Sequence, residues 1–453
     1  MKTRGYFMFC LLIIISACNN DDEGNSTTPT RANFTLTIEN VAEAKSFIHS
    51  GVFNTPDGDD ATGPATPGKE YEFNIDAGRS QSLTFVTMLA ATNDLFFGPG
   101  GEGIALYDEM GDPITANVTS QVYLWDAGTE VNEEPFVGPN TVSKQASANT
   151  GEDENGNVLK IGDVTTGFEF DYPAVSDLIE VSITHIQDTR FRVNIEVLAT
   201  AELETSEGTV AAPISPGVWV VHNGNNPLYT ENEPDFVQGV EAIAEDGNPA
   251  ALGAYAEENT GVTYPISPGV WVLHEKGTFP IYKLGTEDYG DGLEAIAEDG
   301  NTEILSENLS SLEGYITGGV FNTPTGADAP GPLRPGHTYE FSFEAEEGEN
   351  LSIATMLAAT NDVFIGAIGS GVILFEPDGT PRRGDITGKF LLIDAGTEQN
   401  EEPAVGPNTV TNQLEANTGI EENGTVALLS NVDDERTYPS VNQIIKVTLT
   451  PDE

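Results

Sequence analysis

Hydrophobic and polar residues alternate in many short segments of this chain. Phe34, Leu36 and Ile38 alternate with polar neighbours, and residues 191–197 follow the same pattern. A period of two predicts strands with one buried face. Further segments share it, namely residues 71–75, 179–183, 339–343 and 445–449. Short strands separated by Gly, Pro, Asn and Asp, with little helical periodicity, predict an all-β fold of two antiparallel β-sandwich modules.

A long internal repeat is the basis for predicting two modules. Residues 51–56 (Gly-Val-Phe-Asn-Thr-Pro) recur as residues 319–324, at an offset of 268 residues. The same offset relates other pairs of segments, which are 87–94 with 355–362, 126–130 with 394–398, 137–142 with 405–410, and 148–151 with 416–419. Because loops tolerate insertions, an offset that stays constant through the loops predicts the same fold twice.

A second, shorter repeat lies between the two long copies. Residues 213–222 return as 265–274, and residues 241–248 return as 294–301. Each copy predicts a strand with a Trp and a His, followed by a short helical turn that a left-handed glycine ends. The residues are Trp219, His222 and Gly247 in the first copy, and Trp271, His274 and Gly300 in the second. Two roles are compatible with these units, a ligand cleft or an extension of a sheet edge.

These patterns divide the chain into four parts. A signal peptide covers residues 1–17, and a lipidated Cys18 with a flexible tether covers 18–31. The first module spans 32–188. The second spans 190–453 and carries the duplicated unit as an insert at about 205–305. In the alternative division, residues 200–305 form a small domain of their own.

The N-terminus predicts export and a lipid anchor. Lys2 and Arg4 precede an apolar run and the small residues before Cys18, an order that resembles the lipobox of bacterial lipoproteins. The apolar run is too short to span a membrane, so lipid on Cys18 is the predicted anchor, in the outer membrane and with surface exposure as an option. A plain signal peptide is the alternative. Cys10 is the one other cysteine, so the mature protein is predicted to lack disulfides.

The charge of the chain narrows its partners. Eighteen basic and 73 acidic residues give a formal charge of −55. Nucleic acid, other polyanions and anionic membrane surfaces are therefore disfavoured, and contact with a membrane is predicted only through the lipid. Bound divalent cations would relieve the repulsion among these charges, although solubility outside the cell is a sufficient alternative reason for them.

Some of the acids recur where predicted strands meet loops. Asp94 follows one apolar strand and Asp126 ends another, with Glu130 four residues further on. Loops at one end of a sandwich converge, and calcium prefers six to eight oxygen ligands from such loops. The second copy contributes Asp362, Asp394 and Glu398. The alternative is that Asp-Ala-Gly-Thr simply forms a turn, with the Asp capping its own backbone.

Four motifs resemble the spondin domain, the N-terminal module of F-spondin. They are Met-Leu-Ala at 88–90, Asn-Asp-Leu-Phe at 93–96, Trp-Asp-Ala-Gly-Thr at 125–129 and Gly-Pro-Asn at 138–140. The resemblance covers both modules and implies a sandwich related to C2 domains, with one calcium ion at its end. It implies as ligands Asp94, Asp126 and Glu130, and in the second module Asp362, Asp394 and Glu398. The cysteines of the animal domain are absent here, and Ile393 replaces Trp125 in the second module.

No catalytic signature is complete. His274-Glu275 begins a zinc-protease motif, but Thr278 stands where the second histidine is required. Residues 153–157 begin like an EF-hand loop, but Val158 and Val164 occupy its sixth and twelfth positions. The predicted function is a non-catalytic surface lipoprotein whose calcium-ordered modules bind or adhere to a glycan or protein ligand. Two alternatives are a passive spacer lipoprotein and an enzyme acting on surface polysaccharide.

Overall fold

The computed structural model describes residues 29–162, 170–236, 239–432 and 435–452. The predicted signal peptide, Cys18 and most of the tether lie outside these residues. Within the described ranges, no helix is both long and apolar enough to cross a membrane.

Most regular structure in the described residues is β-strand. The strands are β1 (Arg31–Asn40), β2 (His49–Phe53), β3 (Glu70–Asp76), β4 (Gln81–Leu89), β5 (Leu95–Pro99), β6 (Ile104–Ala105), β7 (Ala116–Asn117), β8 (Val122–Asp126), β9 (Leu159–Lys160), β10 (Ile179–Gln187), β11 (Arg190–Val197), β12 (Glu202–Thr205), β13 (Gly208–Ala211), β14 (Ile214–Asn223), β15 (Ile266–Glu275), β16 (Tyr315–Phe321), β17 (Thr338–Glu346), β18 (Glu349–Leu357), β19 (Val363–Ala367), β20 (Val372–Ile373), β21 (Gly384–Asp385), β22 (Phe390–Asp394), β23 (Ala427–Leu428) and β24 (Ile445–Pro451). The helices are α1 (Val175–Leu178), α2 (Val240–Asp246), α3 (Ala250–Glu258), α4 (Leu293–Asp299), α5 (Glu303–Asn308) and α6 (Val441–Ile444). Short 3₁₀ turns lie at Thr119–Gln121, Leu309–Ser311, Thr387–Lys389 and Leu429–Asn431.

Apart from β12 and β13, which form a two-stranded sheet of their own, the strands form two pairs of antiparallel sheets with matching orders. One pair has the orders β3-β11-β10-β7 and β2-β14-β4-β5-β8-β9, with β6 also on β4. The other has β17-β1-β24-β21 and β16-β15-β18-β19-β22-β23, with β20 also on β18. The prediction of an all-β fold with antiparallel sandwich modules is confirmed.

One module is nested within the other along the chain. The inner module consists of β2–β14 with α1–α3 and is continuous. The outer module consists of β1 together with β15–β24 and α4–α6. Strand β1 lies between β17 and β24, so the chain begins in the outer module, builds the whole inner module, and then returns.

The predicted assignment of two strands is therefore wrong. The predicted boundaries put the strand at residues 34–38 in the first module and the strand at 191–197 in the second. In the structure, β1 pairs with β17 and β24 of the outer module, and β11 pairs with β3 and β10 of the inner module. The first Trp-His strand, β14, likewise pairs with β2 and β4 of the inner module rather than belonging to an insert in the second. The sequence could not decide this, because both strands show the same alternation and fit either sheet equally well.

The Trp-His strands are central in their sheets and do not extend an edge. Trp219 stacks on Phe73 with the ring centroids 5.5 Å apart, and Trp271 stacks on Phe341 at 5.2 Å. His222 is buried, with its Nε2 2.9 Å from the hydroxyl of Thr84. His274 has the same relation to Ser352 (2.9 Å). These units therefore belong to the packed interior.

The helical turns after these strands end as the sequence predicts. Gly247 ends α2 with φ 64°, and Gly300 ends α4 with φ 65°. Only glycine adopts this left-handed conformation at little cost. Each helix packs against its own module, through Ile243 in α2 and Ile296 in α4, and so reaches the loops that carry the recurrent acids.

Candidate metal centres

The recurrent aspartates come together because their strands are paired. Asp94 directly precedes β5, and Asp126 is the last residue of β8. Since Leu95 is paired with Asp126 across these strands, the two carboxylates lie at the same end of the sheet. Asp362 and Asp394 occupy the same positions in the outer module, where Val363 is paired with Asp394.

A third carboxylate joins each pair of aspartates. Asp94, Asp126 and Glu154 each contribute one oxygen to a group whose members all lie within 4.8 Å of one another. Asp362, Asp394 and Glu422 form the equivalent group. We call these the inner and outer acidic clusters. Each cluster could hold a metal ion.

Asp126 also caps a turn of the Asp-Ala-Gly-Thr segment, which the sequence offered as the alternative to metal binding. Its Oδ1 accepts a hydrogen bond from the backbone N–H of Gly128 (2.7 Å), and its Oδ2 accepts one from the Asn132 amide (2.5 Å). Gly128 has φ 70°, and a Cβ there would lie 2.5 Å from the carbonyl oxygen of Asn157. The turn and the cluster are thus features of one structure, because the turn holds Asp126 against the loop that carries Glu154.

Asp94 is the buried centre of the inner cluster. Its side chain is 0 % exposed, its Oδ2 accepts one hydrogen bond from the backbone N–H of Glu130 (3.2 Å), and its Oδ1 has no hydrogen-bond partner. Burial, and then the charge of Asp126, raise the pKa of Asp94 well above its usual range. An unpartnered carboxylate oxygen is costly in such a place unless a proton or a cation satisfies it.

Asp362 repeats this arrangement in the outer cluster. It is 0 % exposed, its Oδ1 has no hydrogen-bond partner, and its Oδ2 accepts a hydrogen bond from the backbone N–H of Glu398 at 3.4 Å. Burial and the charge of Asp394 raise the pKa of Asp362 well above its usual range. The same unsatisfied geometry therefore occurs twice.

Glu130 lies beside the inner cluster but is not a member of it. Its Oε1 accepts a hydrogen bond from the backbone N–H of Gly151 (2.7 Å), and its Oε2 accepts one from the Asn93 amide (3.3 Å). In this position the carboxylate holds two loops together. Glu398 does the same in the outer module, with Gly419 (2.8 Å) and Asn361 (3.2 Å) as its partners. Their role as metal ligands stays a prediction.

Sequence reasoning missed Glu154 and Glu422. The segment of Glu154 begins like an EF-hand loop, but Val158 and Val164 occupy ligand positions of that motif, and the segment of Glu422 carries no known motif. The useful signal was the repeat, since Glu154-Asn155-Gly156 returns as Glu422-Asn423-Gly424 at the same offset of 268. Asn155 and Asn423 adopt left-handed conformations (φ 56° and 55°), which turn the chain so that the preceding glutamate faces the aspartates.

A further buried glutamate lies next to each cluster. Glu245 in α2 is 2 % exposed and Glu298 in α4 is 1 % exposed. Burial raises the pKa of each carboxyl to about 8, although the adjacent hydroxyl, Thr129 or Thr397, acts in the opposite direction. The charge of Glu298 contributes in turn to the raised pKa of Asp362. The helices thus bring additional ionisable groups to the acidic end of each module.

We expect these two glutamates to make the stability of the metal-free protein depend on pH. An unfolded Glu has a pKa of about 4.3, so the folded state, with a pKa of about 8, binds protons more tightly. The resulting stability is complete below the unfolded pKa and is lost as pH rises through about 8. In chelator, the double variant Glu245→Gln and Glu298→Gln should lose less stability than the wild type between about pH 5 and about pH 9. This range covers most of the interval between the unfolded and the folded pKa of a glutamate at these positions.

Denaturant unfolding across this pH range measures the effect. The matched control changes Glu257 and Glu303, which are exposed helix residues, to Gln. The control should follow the wild-type pH profile. An unchanged profile in the double variant of Glu245 and Glu298 would show that neither glutamate holds a proton in the folded state.

The clusters have the donor set of a hard cation. Each consists of carboxylate oxygens, and no described histidine belongs to either cluster. His222 and His274, the two that recur in the short repeat, are engaged in the sheet interior. Oxygen-only donor sets suit Ca²⁺ and Mg²⁺, whereas zinc and copper sites usually include nitrogen or sulfur. The clusters are compatible with calcium, although carboxylates alone do not distinguish it from other hard cations.

No protein-family model matches this chain, and no curated protein sequence matches it. The resemblance to the spondin domain therefore depends on the four motifs and stays a hypothesis.

Proposed function

We propose that this chain is an exported lipoprotein, anchored in the outer membrane through Cys18, that binds a surface ligand with loops ordered by calcium. The observation that carries the proposal is the unpartnered oxygen of Asp94 and of Asp362, each fully buried and each beside two further carboxylates. A divalent cation held between the three carboxylates would satisfy this oxygen.

Calcium is favoured among hard cations by the shape of the site. The carboxylates come from three separated chain segments, which in the inner module precede β5, end β8, and follow β8 in a long loop. Calcium accepts a variable number of ligands from flexible loops, whereas magnesium requires near-ideal octahedral geometry. The motifs shared with the spondin domain support the same ion.

The ion would act on the loops and not on a chemical reaction. It would neutralise repulsion among the three carboxylates and fix the loops that Glu130 and Asp126 already tie together. Because the ion binds the native state, it stabilises that state by mass action. A loop surface that is rigid before contact loses less entropy when it binds a partner.

Ligand capture with and without calcium tests this function. A soluble chain that starts after Cys18 should be retained on some members of a glycan array in calcium, and chelator should release it. Joint replacement of Asp94 and Asp362 by Asn should have the same effect as chelator. Retention that is indifferent to calcium and to these substitutions would contradict calcium-dependent binding, and absence of any retained glycan or surface protein would favour a passive spacer.

A further inference from the structure

A mainly apolar cavity of about 660 Å³ lies in the outer module, and none of the three carboxylates of the outer acidic cluster lines it. Its apolar wall is formed by prolines and small or flexible side chains, which include Pro265, Pro268, Pro332, Met356 and Val410. Ligand pockets in proteins usually have volumes of about 300–1,000 Å³ and a mainly apolar lining with a few polar groups. The cavity has both properties.

Three basic side chains also line this cavity. They are Lys45, Arg334 and His337, in a chain with only 18 lysines and arginines. The one carboxylate in the lining, Asp299, accepts hydrogen bonds at its Oδ1 from the Gln413 amide (3.0 Å) and the backbone N–H of Asn417 (3.4 Å). In the described residues, no carboxylate lies within ion-pair distance of Arg334. Lys45 pairs with Glu43 at 3.0 Å, but the Glu43 side chain is 78 % exposed and is easily displaced by another anion.

Hydrogen bonds fix the walls that carry these basic groups. The buried amide of Asn40 donates to the carbonyl oxygens of Tyr264 and Leu333, each at 2.9 Å. The backbone N–H of Lys45 donates to the Thr263 hydroxyl at 2.8 Å. The segment that leaves β1, the segment that enters β15 and the loop before β17 are thereby joined. The cavity is preformed.

The inner module lacks these features at equivalent positions. The backbone N–H of Gly336 donates to the carbonyl oxygen of Asn40, and Gly68, 268 residues earlier, donates in the same way to Val197. Val197 is therefore the counterpart of Asn40, and by the same offset Thr66 is the counterpart of Arg334. The counterpart of His337 is Lys69, which pairs with Asp59 at 2.7 Å. The arginine without an ion-pair partner in the described residues and the bridge made by the Asn40 amide are therefore particular to the outer module.

A hairpin lies over the corresponding region of the inner module. At the tip of β12–β13, the Ser206 hydroxyl donates to Glu134 (2.9 Å), and Glu207 pairs with Lys144 at 3.8 Å. In the outer module, β1 takes the place of β11, and the chain continues from β1 directly to β2 of the inner module. The described residues therefore contain no equivalent hairpin in the outer module. The loop equivalent to 134–144 instead contributes Val410 and Thr411 to the cavity wall.

We propose that this cavity binds a small organic anion with an apolar body, its charged group at Arg334 and its apolar part against the prolines and Met356. Acidic residues elsewhere on the chain repel an anion, but dissolved salt screens this repulsion with distance. At physiological ionic strength the Debye length is about 8 Å, so a ligand inside the cavity interacts chiefly with the groups that line it, where Lys45 and Arg334 outnumber the single carboxylate of Asp299. The proposal does not depend on metal binding at the acidic clusters.

Isothermal titration with 2-naphthoate tests this proposal, with 2-naphthalenemethanol as the neutral analogue of the same size. One naphthoate should bind per chain, and the neutral analogue should bind at least about tenfold more weakly, the scale of one charge-assisted hydrogen bond. Arg334→Thr, which installs the residue of the inner module, should weaken naphthoate binding by a similar factor. Thr411→Trp, which fills the rim, should abolish it.

The control variant is Arg383→Thr, because Arg383 is exposed and does not line the cavity. It should bind naphthoate as the wild type does. Equal affinity for the acid and the neutral analogue would overturn the assignment to an anion. No binding by the wild type, or binding that Arg334→Thr and Thr411→Trp both leave unchanged, would overturn the site.

Discussion

Joint replacement of Asp94 and Asp362 by Asn should abolish stabilisation of the protein by calcium. At a calcium concentration 100 times the dissociation constant, each site contributes about 2.7 kcal/mol of stability, so two sites contribute about twice that amount. In the variant, each cluster loses its most buried carboxylate, the one with an unpartnered oxygen. Thermal unfolding in calcium and in chelator measures the difference.

The same variant should be more stable than the wild type in chelator. An Asn amide removes the repulsion with Asp126 or Asp394 and can donate a hydrogen bond to a neighbouring carboxylate, a gain of about 1–3 kcal/mol per site. Simple structural damage predicts the opposite sign. The matched control is Asp60→Asn with Asp328→Asn, two exposed aspartates related by the same 268-residue offset. The control should keep the full calcium response, and a double cluster variant that also keeps it would refute the site.

Removal of β1 should unfold the outer module and leave the inner module folded. β1 is an interior strand that forms nine residue pairs with β17 and seven with β24. Phe34, Leu36 and Ile38 on its inner face are fully buried. A chain that starts at Val41 lacks these contacts but retains every strand of the inner module. In hydrogen exchange, β17 and β24 should lose protection while β3 and β11 retain it.

A peptide of residues 29–41 should restore protection to the outer module when it is added in trans. A peptide with the same residues in scrambled order is the control, because it lacks the alternation that buries Phe34 and Leu36. Retained protection of β17 and β24 without β1 would contradict the nested topology. Equal loss of protection in both modules would mean that they unfold as one cooperative unit, contrary to the expected independence of the inner module.

The sequence predicts the strands well but not their partners. Alternation identifies β1, β3, β10, β11, β17 and β24, and the structure confirms each of them as a strand. Alternation shows only that a strand has one buried face. β1 and β11 both have such a face, with apolar residues at every second position, so the pattern does not distinguish them. Which sheet receives each strand depends on the path of the connections, and a single sequence shows that path only indirectly. The nested arrangement therefore emerges only from the strand pairing.

The candidate site shows the same limit. The repeat draws attention to Asp94 and Asp126, and the two are brought together by the pairing of β5 with β8. Glu130 and Glu154 lie in the same long loop, and only the fold of that loop determines which of them faces the aspartates. Glu245 is further still in sequence. Its position beside the cluster follows from the docking of α2, so a motif search confined to strand ends cannot find it.

Calcium titration of the soluble chain tests the central claim most directly. Isothermal calorimetry of the wild type should show two bound ions per chain, since the two clusters have the same geometry. Asp94→Asn alone and Asp362→Asn alone should each leave one ion, and the double variant should leave none. Two ions bound to the double variant, or no ion bound to the wild type, would contradict the assignment of the acidic clusters as metal centres.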